Sequence, residues 1–150
     1  MELLQKLKDE LICAKTTKII STVSKSGNPS ISFRKTLFFN DNEELVLLEP
    51  TETSEISRNL VYSLWFDKKV IIAILCKNEA NLLIKASPVR AVVAGKDFEK
   101  YYCEYLGKYN KLDLAAAWIM KIDKIVEAGE EIDILNEKRN YPFIGHLDGM

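Results

Sequence analysis

Residues 70–76, Val-Ile-Ile-Ala-Ile-Leu-Cys, are apolar at every position, and this run limits the folds open to the chain more than any other feature. No unbroken apolar stretch in the chain is longer, and this one is far too short to cross a bilayer. A short run of this kind reads as a strand covered on both faces, so layers of structure must lie above and below it. The chain's 150 residues supply that cover within a single domain. At this length roughly 68–70% of the unfolded chain's surface is buried on folding, and no disulfide or metal staple is needed.

The flanking segments alternate between two periods. Leu3, Leu4, Leu7 and Leu11 fall on one side of a helical wheel, so residues 2–14 read as an amphipathic helix. Lys18–Ser24 is rich in β-branched residues and stops at the turn cluster Lys25-Ser26-Gly27-Asn28-Pro29. Ser30–Phe39 is a second run, Asn40-Asp41-Asn42 the next turn, and Leu45–Leu48 a third strand, which together suggest two hairpins. Ile56, Leu60 and Leu64 then recur at fours, predicting a helix over 54–66 with Thr53 or Ser54 as its N-cap. After the apolar run, Lys77–Asn81 reads as a turn and Leu82–Ala94 as a strand that is bulged or at an edge where Pro88 interrupts it. Gly95–Asn110 is helical, with Phe98, Tyr102, Tyr105 and Tyr109 in one stripe expected to pack on the sheet. Leu114, Ala116, Trp118, Met120 and Ile122 alternate as one face of a last strand. The expected fold is therefore mainly β: an antiparallel barrel of six strands, with helices at the N-terminus, between strands 3 and 4, and before the last strand. Residues 1–129 form that domain and 130–150 a polar, then aromatic, tail.

Composition removes several function classes. The chain has 21 Lys+Arg against 22 Asp+Glu, without the basic excess that nucleic-acid binding by counterion release requires. Its only histidine, His146, rules out a zinc site built on two or three imidazoles in one chain, and a Ser-His-Asp or Cys-His hydrolase would have to use this one residue. Cys13, Cys76 and Cys103 are scattered without a CxxC, so they are expected as reduced thiols, each filling a small buried apolar space. The opening MELLQKLKDEL lacks the charged lead and apolar core of a secretory signal, and the expectation is a soluble cytoplasmic protein without membrane contact. The sequence contains no Gly-rich dinucleotide loop, P-loop, EF-hand or HExxH.

One place suggests chemistry. Leu47-Leu48-Glu49-Pro50-Thr51-Glu52-Thr53-Ser54 leaves a strand, carries three hydroxyls, and opens a helix whose first N–H groups suit an anion. Upstream, Arg34 and Lys35 occupy adjacent strand positions before Thr36, so one points to the barrel and the other to solvent. A phosphate between the two segments would receive charge-assisted contacts from one of these cations. The same residues equally fit a plain helix cap and a surface charge.

At this point the chain resembles the pyridoxamine 5'-phosphate oxidase-like, FMN-binding split-barrel superfamily over roughly residues 12–128. The resemblance is carried by TKIISTVSKSGNPS (17–30), FRKTLFF (33–39), SEISRNLVYSLWFDKKVIIAIL (54–75) and LIKASPVRAVVAGKDF (83–98). It implies a six-stranded Greek-key split barrel that forms a homodimer, with FMN at the subunit boundary. Arg34, Lys35 and Thr36 would then flank the flavin. Thr51, Thr53 and Ser54 would bond its phosphate end, with Arg58 and Asn59 nearby. The implied activity is a flavin-dependent oxidation or reduction, in which the ring reacts with a small substrate or electron donor while the protein supplies position and polarity. Some relatives carry a deazaflavin, or haem held through a tail histidine, for which His146 is the candidate; a split barrel that has lost flavin and holds another ligand or partner is the alternative. One departure stands out: the family's phosphate-binding basic pair falls on Glu55 and Ile56. With Glu52 close by, an acid at contact distance from a phosphate costs up to roughly 4 kcal/mol at an effective dielectric near 20.

Overall fold

The computed structural model describes residues 2–13, 15–76, 81–109 and 113–142. In chain order the elements are α1 (Glu2–Ile12), β1 (Thr17–Val23), β2 (Pro29–Phe33), β3 (Leu37–Phe39), β4 (Leu45–Glu49) and α2 (Glu55–Phe66). They continue with β5 (Val70–Leu75), β6 (Asn81–Val92), α3 (Gly95–Tyr109), β7 (Ala116–Ala128) and α4 (Glu130–Asn140). The architecture is mainly β with flanking helices, and every ladder is antiparallel.

The strand count and closure differ from expectation. Among the described residues there are seven strands, not six, in one sheet of order β2-β1-β5-β6-β7-β4-β3. The run Ser30–Phe39 is broken at Arg34-Lys35-Thr36 because its halves have different partners. Phe33 pairs with Ile19 of β1, whereas Leu37 pairs with Leu47 of β4. β2 and β3 are therefore the two edges of the sheet, yet only three residues join them. Four residue steps span no more than about 14 Å, so the sheet must curl until its edges nearly meet. A barrel results whose hydrogen-bonded ladder does not close, in place of the expected six-stranded Greek-key barrel.

Two apolar layers hold it. Leu45 and Leu47 of β4, Ile72 and Ile74 of β5, Ile84 of β6 and Trp118 and Met120 of β7 fill the interior, with Ile56 and Leu60 of α2 and Leu7 of α1 packed in. Val46 and Leu48, on the other face of β4, meet Ala117 and Ile119 beneath the α3 aromatics Phe98, Tyr102, Tyr105 and Tyr109. That stripe packs on the sheet as its spacing predicts. The segments covered on both faces are thus β4 and the first five residues of β7, Ala116–Met120, and the expectation of double cover fails for β5. Val70, Ile72 and Ile74 of β5 are buried, while Ile71 and Leu75 are exposed, because α3 covers β4 and β7 instead.

The ladder registers align an outward-facing row of Phe33, Ile19, Ala73, Leu83 and Val126 across five strands. None of these five is buried, and Ile31, Ile71 and Leu75 extend the same face.

Smaller differences have local causes. Register shifts between Lys85 and Ala86 and between Pro88 and Arg90 show the bulge that Pro88 predicts. From Glu130, where only a tail was expected, α4 forms; acids Glu130, Glu131 and Asp133 in its first turn and Lys138 and Arg139 in its last complement the helix dipole. None of the three cysteines is in a disulfide, but Cys13 and Cys103 are exposed and Cys76 is half-buried, which corrects the expectation of three buried hydrophobes. Cys13 lies just past the end of α1, and Cys103 stands two positions, about 200°, round α3 from the buried Tyr105. No helix among the described residues is long and apolar enough to cross a membrane. His146 and the turn at 77–80 lie outside the described residues.

Candidate functional site

The seam between β2 and β3 brings Arg34, one of the two expected cations, beside the end of β4. Arg34 Nε donates to Glu49 Oε2 at 2.9 Å and Nη2 to Oε1 at 3.3 Å, while Nη1 bonds the Phe33 carbonyl at 2.9 Å. Glu49 is fully buried. Its Oε1 also accepts from the Thr51 hydroxyl at 2.8 Å and the Thr51 N–H at 3.3 Å. A buried carboxylate requires such partners, since unpaired it would lose its hydration without replacement. Glu49 escaped sequence reasoning, although an acid closing the apolar strand Leu45–Leu48 was a readable signal.

Hydroxyls organise the start of α2. Ser54, in extended backbone, is the N-cap, and its Oγ accepts from the Ser57 N–H at 3.3 Å. Thr51 Oγ1 lies 2.6 Å from Ser54 Oγ, Ser54 Oγ lies 3.1 Å from Ser57 Oγ, and Ser57 Oγ donates to the Thr51 carbonyl at 2.6 Å. Ser57 was not expected here. The choice between Thr53 and Ser54 as cap falls to Ser54; exposed Thr53 instead offers its carbonyl to Arg58 Nη1 at 3.1 Å.

The remaining expected residues do not join this cluster. Thr36 is buried and its hydroxyl donates to the Leu48 carbonyl at 2.6 Å, stitching the seam. Asn59 is buried and its amide donates to Thr22 Oγ1 at 3.0 Å, which ties α2 to β1. Lys35 is exposed, and its carbonyl accepts from Tyr109 at 3.2 Å and from Lys18 Nζ at 3.3 Å. Glu52 and Glu55 are exposed, and Ile56, at the other basic-pair position, is core.

Next to the hydroxyl cluster opens a cavity of about 510 Å³, a volume typical of small-molecule sites. Thr51, Glu52 and Ser57 form its polar end; Val61, Leu64 and Trp65 of α2, Val93 beyond β6, and Trp118 of β7 form apolar walls. None of Arg34, Lys35 and Arg58 lines it. Aromatic and aliphatic walls are the kind of surface on which a flat conjugated ring packs. The dianionic phosphate of FMN does not fit the polar end as these residues are arranged: one acid lines it, the hydroxyls are already bonded, and Arg34 is committed to Glu49.

Two other places gather charged groups. A cavity of about 530 Å³ lies between α1 and the barrel; of its charged lining residues Lys8 pairs with Glu43 at 2.6 Å and Glu44 with Arg90 at 3.3 Å, and Lys121 completes the set. At the β6 bulge Lys69 Nζ donates to Ser87 Oγ at 2.8 Å, but Ser87 donates its own proton to Asp123 at 2.5 Å. That hydroxyl bond and the nearby Lys69 charge hold the Asp123 carboxyl below the usual carboxylate range, so nothing there activates the serine as a nucleophile. Among the described residues no group of three or more His, Cys, Asp or Glu is placed to hold a metal ion.

No family model matches this chain, and no curated protein matches its sequence. Solved structures match in shape. An FMN-binding protein from Syntrophomonas wolfei subsp. wolfei is 16% identical with a TM-score of 0.71, over 85% of this chain and 87% of that one. A putative pyridoxamine 5'-phosphate oxidase from Lactobacillus delbrueckii is 15% identical with a TM-score of 0.56, over 81% of this chain and 91% of that one. HutZ, a haem storage protein from Vibrio cholerae, is 17% identical with a TM-score of 0.56, over 85% of this chain and 95% of that one. At these identities what is shared is the fold, and with the curled seven-stranded sheet and its capping helices it identifies the chain as having the pyridoxamine 5'-phosphate oxidase-like split-barrel fold.

Proposed function

We propose that this chain is a flavin-binding split-barrel protein that holds the ring of its cofactor in the cavity between α2 and the start of β7 and serves the oxidation or reduction of a small molecule. One observation carries the reading: a cavity of about 510 Å³ with two tryptophans in apolar walls and a single polar end, in a fold shared with an FMN-binding protein. A bound flavin supplies hydride or electron transfer. Val61, Leu64, Trp65 and Trp118 supply an apolar, partly closed surface, and Thr51, Glu52 and Ser57 orient what projects from the ring.

The working form in this reading is a homodimer in the reducing cytoplasm, which suits a chain whose three cysteines form no disulfide. The outer face from Phe33 to Val126 supports the dimer. Phe33 and Ile31 are each 66% exposed there, and an apolar row across five strands, bordered on the same face by Ser21, Lys85 and Lys124, is more than the scattered exposure of a monomer. A second copy of the same face would bury it by two-fold symmetry.

The fold shared with a haem storage protein favours a second reading, in which the same cavity takes haem. The absorbance spectrum of the protein as purified, with mass spectrometry of the released ligand, separates the two. Flavin bands in the blue are expected, and a Soret band indicates haem. A colourless protein that quenches neither riboflavin nor FMN fluorescence on titration overturns the flavin reading.

A further inference from the structure

We propose that the polar end of the cavity selects a flavin without its phosphate, an uncharged ring carrying a free polyol such as riboflavin, over FMN. This rests on the flavin reading above and specifies its ligand. The argument is one of donors and acceptors. At neutral pH a phosphate dianion only accepts hydrogen bonds and needs cations or free N–H and O–H groups. None of the candidate cations Arg34, Lys35 and Arg58 lines the cavity, and two of them are committed elsewhere. Arg34 is bonded twice to Glu49, and drawing it away would strand a fully buried carboxylate. Arg58 turns back onto the Thr53 carbonyl. The hydroxyls are occupied too, since Ser57 donates to the Thr51 carbonyl and Thr51 bonds Glu49 and Ser54.

What the cavity presents instead is an acceptor. Glu52 lines it, and Glu55 adds a second exposed negative charge in the first turn of α2. Carboxylates repel a phosphate but accept from hydroxyls, so the polyol of an unphosphorylated flavin complements them. Ile56 completes the assignment: where the resemblance puts half of a phosphate-binding basic pair, this chain buries an aliphatic side chain in its core.

The test is fluorescence titration of the full-length protein with riboflavin and with FMN, at low and at high salt. Riboflavin is expected to bind at least tenfold more tightly than FMN at low salt, with the gap narrowing as salt screens Glu52 and Glu55. Glu52→Lys, at an exposed position, should narrow or invert the ratio. FMN binding as tightly as riboflavin or better overturns the inference and leaves the flavin reading standing. A preference for riboflavin that neither salt nor Glu52→Lys alters also overturns it, because the carboxylates would then not be its cause. Binding of neither flavin removes the reading and this inference together.

Discussion

Arg34 and Glu49 meet at the seam of the barrel, with Nε 2.9 Å from Oε2 and Nη2 3.3 Å from Oε1. Arg34 belongs to the tripeptide that joins the two sheet edges, and Glu49 ends β4, so the pair pins the place where the curled sheet fails to close. Removing one partner strands the other. Arg34→Ala is expected to cost about 3–5 kcal/mol of unfolding free energy, because the fully buried Glu49 then lacks a counter-charge. Replacing both with methionine should recover most of that loss. Urea denaturation of the two variants checks both statements, and a double variant no better than the single would show that the charge pair is not the cause.

The outer face predicts assembly. Phe33→Asp, at the β2 end of the exposed apolar row, should convert the proposed dimer to monomer while leaving the far-ultraviolet circular dichroism unchanged. Sedimentation velocity reads the result directly. An unaltered sedimentation coefficient would place the interface elsewhere.

Lys18 reinforces the same seam from inside. Its Nζ donates to the carbonyls of Leu11 at 3.1 Å, Leu37 at 3.2 Å and Lys35 at 3.3 Å. Burial, with repulsion from Lys108 added, holds its ammonium below the ordinary value of 10.5. The unfolded chain therefore binds this proton more tightly than the native one. This group's contribution to stability consequently rises with pH, between the lowered native value and 10.5. Lys18→Met should abolish that slope, and at neutral pH it should cost about 1–3 kcal/mol by leaving buried carbonyls without a donor. Denaturation midpoints measured across alkaline pH test the sign.

The helix cap separates two neighbouring residues that look alike in sequence. Ser54→Ala should destabilise the protein by about 1 kcal/mol, since Ser54 Oγ caps α2 through the Ser57 N–H. Thr53→Ala, at an exposed position, should change stability by less than about 0.5 kcal/mol. Equal effects in thermal melts would contradict the cap assignment.

Cys13 is exposed, and its thiol is held below the ordinary value of 9.0, first by a backbone hydrogen bond at Lys15 and then by the Thr16 side chain. Its alkylation by iodoacetamide should therefore reach half-maximal rate at a lower pH than that of a free cysteine. Peptide mass spectrometry across pH gives the profile. Thr16→Val should move it upward.

Much of this fold is legible along the chain, because local periodicity and turn chemistry act between residues that are near neighbours. The leucines of α1, the fours of α2, the aromatic stripe of α3 and the Gly27 turn, with its positive φ of 85°, each declare a conformation within one or two turns of chain. The hydroxyl-rich start of α2 was equally visible, and its cap formed as that chemistry requires. What the chain does not announce is pairing at a distance. Arg34-Lys35-Thr36 reads as part of one strand and breaks only because β1 claims the residues before it and β4 those after. Nor does any local pattern say that Arg34 will be bound by a carboxylate fifteen residues on, that Asn59 will turn inward to Thr22, or that β5 will leave one face bare. Helix, strand and turn follow from forces that act along the backbone. Which cations remain available for a ligand follows from burial, and burial is decided only when distant segments of the chain come together.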